Sequence, residues 1–317
     1  MKVQRLDFIL SIILIAASAT LALGQFALAQ AVPPAGGPAQ NATSIPDFSG
    51  KWVHPYFPGF EPPASGPGPV VNKSRRRDGV GNANQFVGDY TNPILKPHAA
   101  EVVRKHGEIS LAGASYPTPS NQCWPSGLPY IFFQHGMQML QLPQKIVFLY
   151  LRNHEYRQVR LNQPHPAHVT PSWNGDSVGH YEGATLVIDT VGVKADRPFA
   201  MVDMYGTPFS PAMHVVERYR LIDYADAKGA IERNSKENIR FRPGVQALEF
   251  DPDYRGKHLQ LEFTVEDEGV FTKPWTATIT YSLPLGIWDE HVCAENRRGY
   301  FSNGSDAAVP TAGKPDF

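Results

Sequence analysis

Two segments near the C-terminal end alternate apolar and polar residues without a break. In His258–Glu266, Leu259, Leu261, Phe263 and Val265 alternate with His258, Gln260, Glu262, Thr264 and Glu266. In Trp275–Leu283, Trp275, Ala277, Ile279, Tyr281 and Leu283 alternate with Thr276, Thr278, Thr280 and Ser282. Successive side chains of a strand point to opposite faces, so a two-residue period predicts a half-buried β-strand. A third segment, His214–Ile222, sets Val215, Glu217, Tyr219 and Leu221 on one face. His214, Val216, Arg218, Arg220 and Ile222 lie on the other. The first face reads as core-facing and carries a carboxylate at its middle. A buried carboxylate needs a partner or a purpose.

The β signal runs from about residue 130 to 283. Lys145–Arg152 is a nearly all-apolar run of strand length, and His154–Leu161 follows it closely enough for a hairpin. Val178–Glu182 and Thr185–Val191 flank Gly183-Ala184, a two-residue turn. Several antiparallel strands with few helices predict an all-β barrel or sandwich with minor α content. Residues 54–125 are dominated by Pro, Gly and Asn and carry one helix signal. Pro97 suits a first turn, Ala99–Lys105 can be helical, and Gly107 reads as a stop.

The N-terminus bears the marks of export. Lys2 and Arg5 form a basic region, Phe8–Leu23 is apolar, and Ala27-Leu28-Ala29 and Ala29-Gln30-Ala31 are small-residue cleavage sites. That order predicts a signal peptide over residues 1–31; the alternative is an uncleaved anchor. Residues 32–46 read as a flexible linker, 47–298 as a single barrel domain, and 299–317 as a loose tail. No other stretch is apolar enough to span a membrane, so no stable span is expected after cleavage, and the product is periplasmic or secreted. A net charge of -1 argues against a nucleic-acid partner. Arg75-Arg76-Arg77 is the sole basic run and sits in a loop-forming stretch. Two cysteines, Cys123 and Cys293, form an even pair in an oxidising compartment, which implies a disulfide. The alternative is two unpaired thiols in apolar surroundings.

Phe48-Ser49-Gly50-Lys51-Trp52 resembles the Gly-x-Trp opening of lipocalin-like (calycin) barrels. That resemblance implies a barrel closed at one end by Trp52, with Arg297 or Arg298 packed on it. It covers the first strand alone, and residues 54–125 depart from calycin spacing. A broader resemblance spans most of residues 46–296. Pro46–Trp52, Pro171–Gly183, Thr185–Thr190, Val215–Tyr219 and Lys273-Pro274-Trp275 are similar to motifs of a large group of exported, mostly uncharacterised bacterial proteins. This implies export and supplies no reaction.

The candidate site begins from Glu217. Glu155, Arg157, Val159 and Leu161 share one strand face, whose apolar end points it inward and brings Arg157 to Glu217. The two form either a structural ion pair or the polar end of a ligand cavity. In the second case Arg157 binds an oxygen and Glu217 orients the ligand or accepts a proton. His180 is the candidate acid or base, with Glu182 on its face; a surface histidine is the competing reading. Tyr150, Trp173, Tyr219 and Trp275 are candidate cavity aromatics. His165, His168, Asp176 and His180 lie close in sequence, but no spacing fits a zinc pattern, so no metal is expected. No nucleophile elbow, P-loop or dinucleotide fingerprint occurs, and no cofactor is expected.

Two functions follow. The first is an exported barrel that binds a small apolar or aromatic molecule in an internal cavity with Arg157 and Glu217 at its polar end. The alternative is a cofactor-free acid/base enzyme of isomerase, cyclase, lyase or hydratase type using Glu217, Arg157 and His180.

Overall fold

The computed structural model describes residues 45–54, 59–82, 85–134, 136–237, 251, 253–285 and 292–293. The expected signal peptide (1–31), most of the linker (32–46), the tail (299–317), Arg297 and Arg298 lie outside the described residues.

Nine strands form one sheet in sequence order. They are β1 (Gly50–Val53), β2 (Gly136–Leu142), β3 (Lys145–Tyr150), β4 (Tyr156–Leu161), β5 (Asp176–Glu182), β6 (Thr185–Val191), β7 (His214–Ile222), β8 (His258–Glu266) and β9 (Trp275–Tyr281). The sheet curls back on itself. Val53 and Ser282 exchange backbone hydrogen bonds of 2.9 and 2.7 Å, bridging the β1 end to the chain beyond β9. One bridge leaves the barrel nearly closed. Among the described residues the architecture is therefore an all-β barrel with two α-helices.

One pairing departs from the expected antiparallel pattern. Strands β4 and β5 run parallel, with Val159 opposite Ser177 and Leu161 opposite Gly179. Parallel neighbours need a long crossover. Residues 162–175 supply it, and Pro164, Pro166 and Pro171 keep it out of regular structure. The β3–β4 link is also longer than expected. Asn153 and His154 adopt left-handed φ values of 52° and 50°, so both strands stop short of it.

Inward faces follow the two-residue period. Val215, Glu217 and Tyr219 are buried on β7, and they stand opposite Val265, Phe263 and Leu261 of β8. On β5 the inward residues are Ser177 and Gly179. A side chain on Gly179 would come within 3.0 Å of Val159 and of the Val187 carbonyl, so only glycine lets β4 and β6 approach there.

Helix α1 (Pro97–Leu111) begins at Pro97 as expected but passes through Gly107. A Cβ at Gly107 would sit 3.3 Å from Val87, so this glycine admits a close helix–loop contact rather than ending the helix. The terminating glycine is Gly113, at φ +79°. Helix α2 (Tyr224–Glu237) has few large apolar residues, and its sequence carries too weak a stripe to be read in advance.

Candidate functional site

The barrel interior holds an ion pair. Arg157 of β4 and Glu217 of β7 are both almost fully buried, at 2 % and 0 % exposure. The guanidinium donates to both carboxylate oxygens, Nη1 to Oε2 at 2.9 Å and Nη2 to Oε1 at 2.6 Å. Its Nε donates to Ser177 Oγ at 3.1 Å and its Nη2 to Thr190 Oγ1 at 2.8 Å. Tyr219 donates its hydroxyl to Glu217 Oε2 at 2.9 Å. Phe148 lies under the guanidinium, 5.4 Å from its centre. Four neighbouring strands, β4 to β7, thus contribute to one hydrogen-bonded knot, with the Tyr150 hydroxyl buried beside it.

Electrostatics agree with that picture. Burial acts against the Arg157 charge, but the Glu217 carboxylate beside it more than reverses this and holds the guanidinium ionised. Burial first, and the Glu217 charge second, push the Tyr219 hydroxyl well above the ordinary phenol range. Tyr150 is also raised by burial, and it lies within the fields of both Arg157 and Glu217.

The other sequence candidates are placed elsewhere. His180 and Glu182 stand on the outer face of β5, with side chains 53 % and 47 % exposed. His180 Nε2 meets Glu182 Oε1 at 3.1 Å, and Arg218 donates to Glu182 Oε2 at 2.6 Å. The inward positions of β5 are small or polar, so its sequence concealed the phase, and His180 does not reach Glu217. Trp173, half-buried in the crossover before β5, packs 5.6 Å from Trp124 and 4.7 Å beneath Arg197. Trp275 is inward but locked among Phe60, Phe263 and Phe271 at 5.7–6.5 Å.

A charged ladder crosses the outer face. Arg160 forks onto Asp176 at 2.7 and 3.0 Å. His165 bridges Asp176 at 2.6 Å and Asp189 at 2.9 Å, and His214 bridges Asp189 at 3.0 Å and Glu266 at 3.4 Å. The Arg160 hydrogen bond lowers the Asp176 pKa, and the His214–Asp189 contact lowers that of Asp189 and raises that of His214. Among the described residues no group of three or more His, Cys, Asp or Glu side chains is arranged to hold a metal ion.

A cavity lies elsewhere again. It has a volume of about 360 Å³ and is lined by α1, residues 113–121 and the segment around Phe133-Gln134, together with Phe86, Arg152 and Met204. A smaller cavity of about 140 Å³ lies between residues 59–81 and Arg233, Thr278 and Ile279. Neither is lined by Arg157 or Glu217.

Local hydrogen bonds build the larger cavity's wall. Asn121 Nδ2 donates to the Tyr116 carbonyl at 2.8 Å, and its Oδ1 accepts the Thr118 amide at 2.8 Å. Gln134 Nε2 donates to Ser120 Oγ at 3.0 Å, and Arg152 donates to the Ser120 carbonyl. The Cys123–Cys293 disulfide, with Cα atoms 5.3 Å apart, anchors the end of this wall. The Cys293 amide donates to Asn153 Oδ1 at 2.9 Å, beside Arg152.

His106 is the chemically unusual residue of the cavity. It is 2 % exposed, both ring nitrogens are buried, and a hydrogen bond to the Phe86 backbone acts on the ring. Tyr116 packs on the ring, with centroids 4.2 Å apart. Gly206, at φ +76°, presses from the side; a Cβ there would lie 2.5 Å from the imidazole Cδ2. Burial lowers the His106 pKa to about 4, with the Phe86 backbone pulling weakly the other way. The imidazole is neutral at neutral pH. The sequence did hold a signal for it: His106 interrupts the helical stripe that starts Ala99, Val103.

Comparison with protein-family models, with curated proteins and with solved structures returns no match.

Proposed function

We propose that this protein is an exported barrel that binds one small, largely aromatic molecule, and that the binding site is the cavity beside α1 rather than the Arg157–Glu217 interior. One observation carries the reading. A cavity of about 360 Å³ is lined by Phe86, Tyr116, Phe133 and Met204 together with the hydroxyl and amide side chains of Ser110, Thr118, Asn121 and Gln134. A volume in that range and a mixed lining are what a small-molecule site requires. The interior pair supports no competing site, because its donors and acceptors are used by one another.

Export is supported by the order of basic, apolar and Ala-x-Ala segments at the N-terminus and by the disulfide. Among the described residues no helix is long and apolar enough to cross a membrane. Mass spectrometry of the native protein is expected to give a mature N-terminus near Gln30 or Val32; an intact Met1 overturns export.

Acid/base catalysis with Glu217, Arg157 and His180 is the second reading, and at this cavity the lowered His106 pKa favours binding over catalysis. A general base works best when its pKa lies near the operating pH. A value of about 4 makes the imidazole a poor base at pH 7 and suits it to hydrogen bonding.

Titration with 1-aminoanthracene, a neutral aromatic reporter, tests the binding reading. Saturable one-site fluorescence enhancement is expected, and Ala114→Trp, at the exposed rim, is expected to block it. Absence of saturable binding in the folded wild type overturns the reading.

A further inference from the structure

We propose that the cavity beside α1 selects an uncharged aromatic molecule carrying an N–H or O–H donor, and that Gln134 Oε1 accepts the hydrogen bond from it. The proposal rests on the binding reading above and goes on to name the ligand's chemistry.

Gln134 follows the short 3₁₀ turn Tyr130–Phe133, all four residues of which are buried, and its backbone N–H donates to the Ile131 carbonyl at 2.9 Å. Its side chain lines the cavity, and the residue is only 7 % exposed. A relay of hydrogen bonds fixes which way the side-chain amide faces. A thioether sulfur accepts and does not donate, so the Tyr130 hydroxyl gives its one hydrogen to Met204 Sδ at 2.9 Å. The 3.3 Å contact between the Ser120 and Tyr130 hydroxyls then runs from Ser120 to Tyr130. Ser120 Oγ in turn accepts from Gln134 Nε2 at 3.0 Å. The amide nitrogen is thereby turned toward Ser120, and Oε1 takes the other side. Among the described residues Oε1 accepts no hydrogen bond, and it keeps accessible surface. An open acceptor on a side chain more than nine-tenths buried is reached from the cavity that the side chain lines.

That acceptor favours discrimination. A ligand filling the cavity displaces the water that would otherwise solvate Oε1. A ring with an N–H or O–H pairs it again, whereas a ring without one leaves it desolvated and unpaired. A site of this kind rejects the analogue lacking the donor far more strongly than a purely apolar pocket does. A carboxylate brings no donor. An ammonium donates, but its charge is opposed by Arg152, the one ionised side chain among the lining residues, which donates to the Ser120 carbonyl within the wall. An anion held by Arg152 is therefore the rival to exclude. Phe86, Tyr116, Phe133 and Met204 offer the ring its apolar contacts.

Three bicyclic probes separate the cases in calorimetric titrations of the full protein near pH 7: indole, which has an N–H, its near-isostere benzofuran, which has none, and benzofuran-2-carboxylate. Indole is expected to bind at least about 10-fold tighter than either of the others. In Gln134→Met, which keeps the length of the side chain but removes the amide, the affinity for indole should fall by about the same factor while that for benzofuran is kept or improves. An equal fall for both overturns the role of Gln134. Should that variant fail to fold, ¹⁵N NMR of the wild type serves instead. The Gln134 side-chain amide resonances are expected to move with indole and not with benzofuran; the same shift with both overturns the assignment.

Equal affinity for indole and benzofuran, or no binding of indole where 1-aminoanthracene saturates, overturns the donor assignment and leaves the binding reading intact. Tighter binding of benzofuran-2-carboxylate, lost in Arg152→Met, replaces the neutral donor by an anion and also overturns it. If no probe, 1-aminoanthracene included, binds up to its solubility limit, the binding reading falls and takes the ligand class with it.

Discussion

Arg157, Glu217 and His106 are buried to the same depth, yet their surroundings differ completely. Inside the barrel, four strands meet Arg157 and Glu217 with hydrogen bonds from Ser177, Thr190 and Tyr219. Beside the larger cavity, His106 is packed against Tyr116 and Gly206, and its ring meets the Phe86 backbone. Burial alone does not identify a ligand site. A polar cluster whose members hydrogen-bond one another has little capacity left for a ligand, and it reads as a device that holds strand register. Empty volume lined by polar and aromatic side chains has that capacity. The difference moves the candidate site from the Arg157–Glu217 pair to the cavity beside α1.

The strongest way to break this comparison is to delete half of the interior pair. Glu217→Ala strands a buried guanidinium and is expected to destabilise by about 3–5 kcal/mol. Ligand affinity at the cavity beside α1 should be kept in whatever fraction stays folded. Denaturant titration alongside 1-aminoanthracene binding reads both. If stability is unchanged and binding is lost, the roles of the two regions are reversed.

Next in size is the disulfide. Its 170-residue separation places the unlinked chain at a disadvantage of about 2–4 kcal/mol, with the loop-entropy figure of on the order of 5 kcal/mol as an upper limit. Cys123→Ser with Cys293→Ser should lower stability and loosen the 113–121 wall. Reporter binding should therefore weaken more than in an equally destabilised core variant. Equal weakening would show that the bridge supports the fold without shaping the cavity.

A third effect is pH-dependent and belongs to His106. Its folded pKa, about 4, lies below the ordinary value of 6.5, because burial disfavours the charged form. Its contribution is complete above pH 6.5. As pH falls from 6.5 toward 4 the unfolded chain takes up the proton first, and stability drops by up to about 3 kcal/mol. Asp203, raised to about 6 by burial, acts in the opposite sense over most of that range, and His214, raised by Asp189, acts above it. The comparison to make is wild type against His106→Phe, in which those groups cancel. The variant should gain relative stability as pH falls through this window. Parallel curves would mean that burial does not hold the His106 pKa down.

The smallest effect sharpens the outer boundary of the site. His180→Ala, on the exposed face of β5, is expected to change stability by less than about 0.5 kcal/mol and leave reporter binding untouched. A binding loss would return the site to the neighbourhood of β5.

The periodicity of β7, β8 and β9 was legible because apolar and polar residues alternate there without interruption. It carried the inward phase of Glu217, and the inward face of β4 carried Arg157 with it. Strand β5 was legible as a strand, but its phase was not. Its inward residues, Ser177 and Gly179, lack the apolar mark that phase reading needs, so His180 could be placed on either face. Helix α2 was hidden by its small and charged residues, and the parallel β4–β5 pair by a proline-rich crossover that looks the same in sequence whichever way the next strand runs.

By itself the chain determined the all-β class, most strand limits, the inward carboxylate with its arginine, and the cysteine pairing. Each of these depends on local period, residue type or count, which act within a few residues or within one compartment. Only the tertiary structure decided how the buried charges were hydrogen-bonded and where empty space remained. That bonding depends on Ser177, Thr190 and Tyr219 arriving from other strands, and the cavity on α1, residues 113–121 and Met204 converging from distant positions. Neither quantity is a property of any one segment.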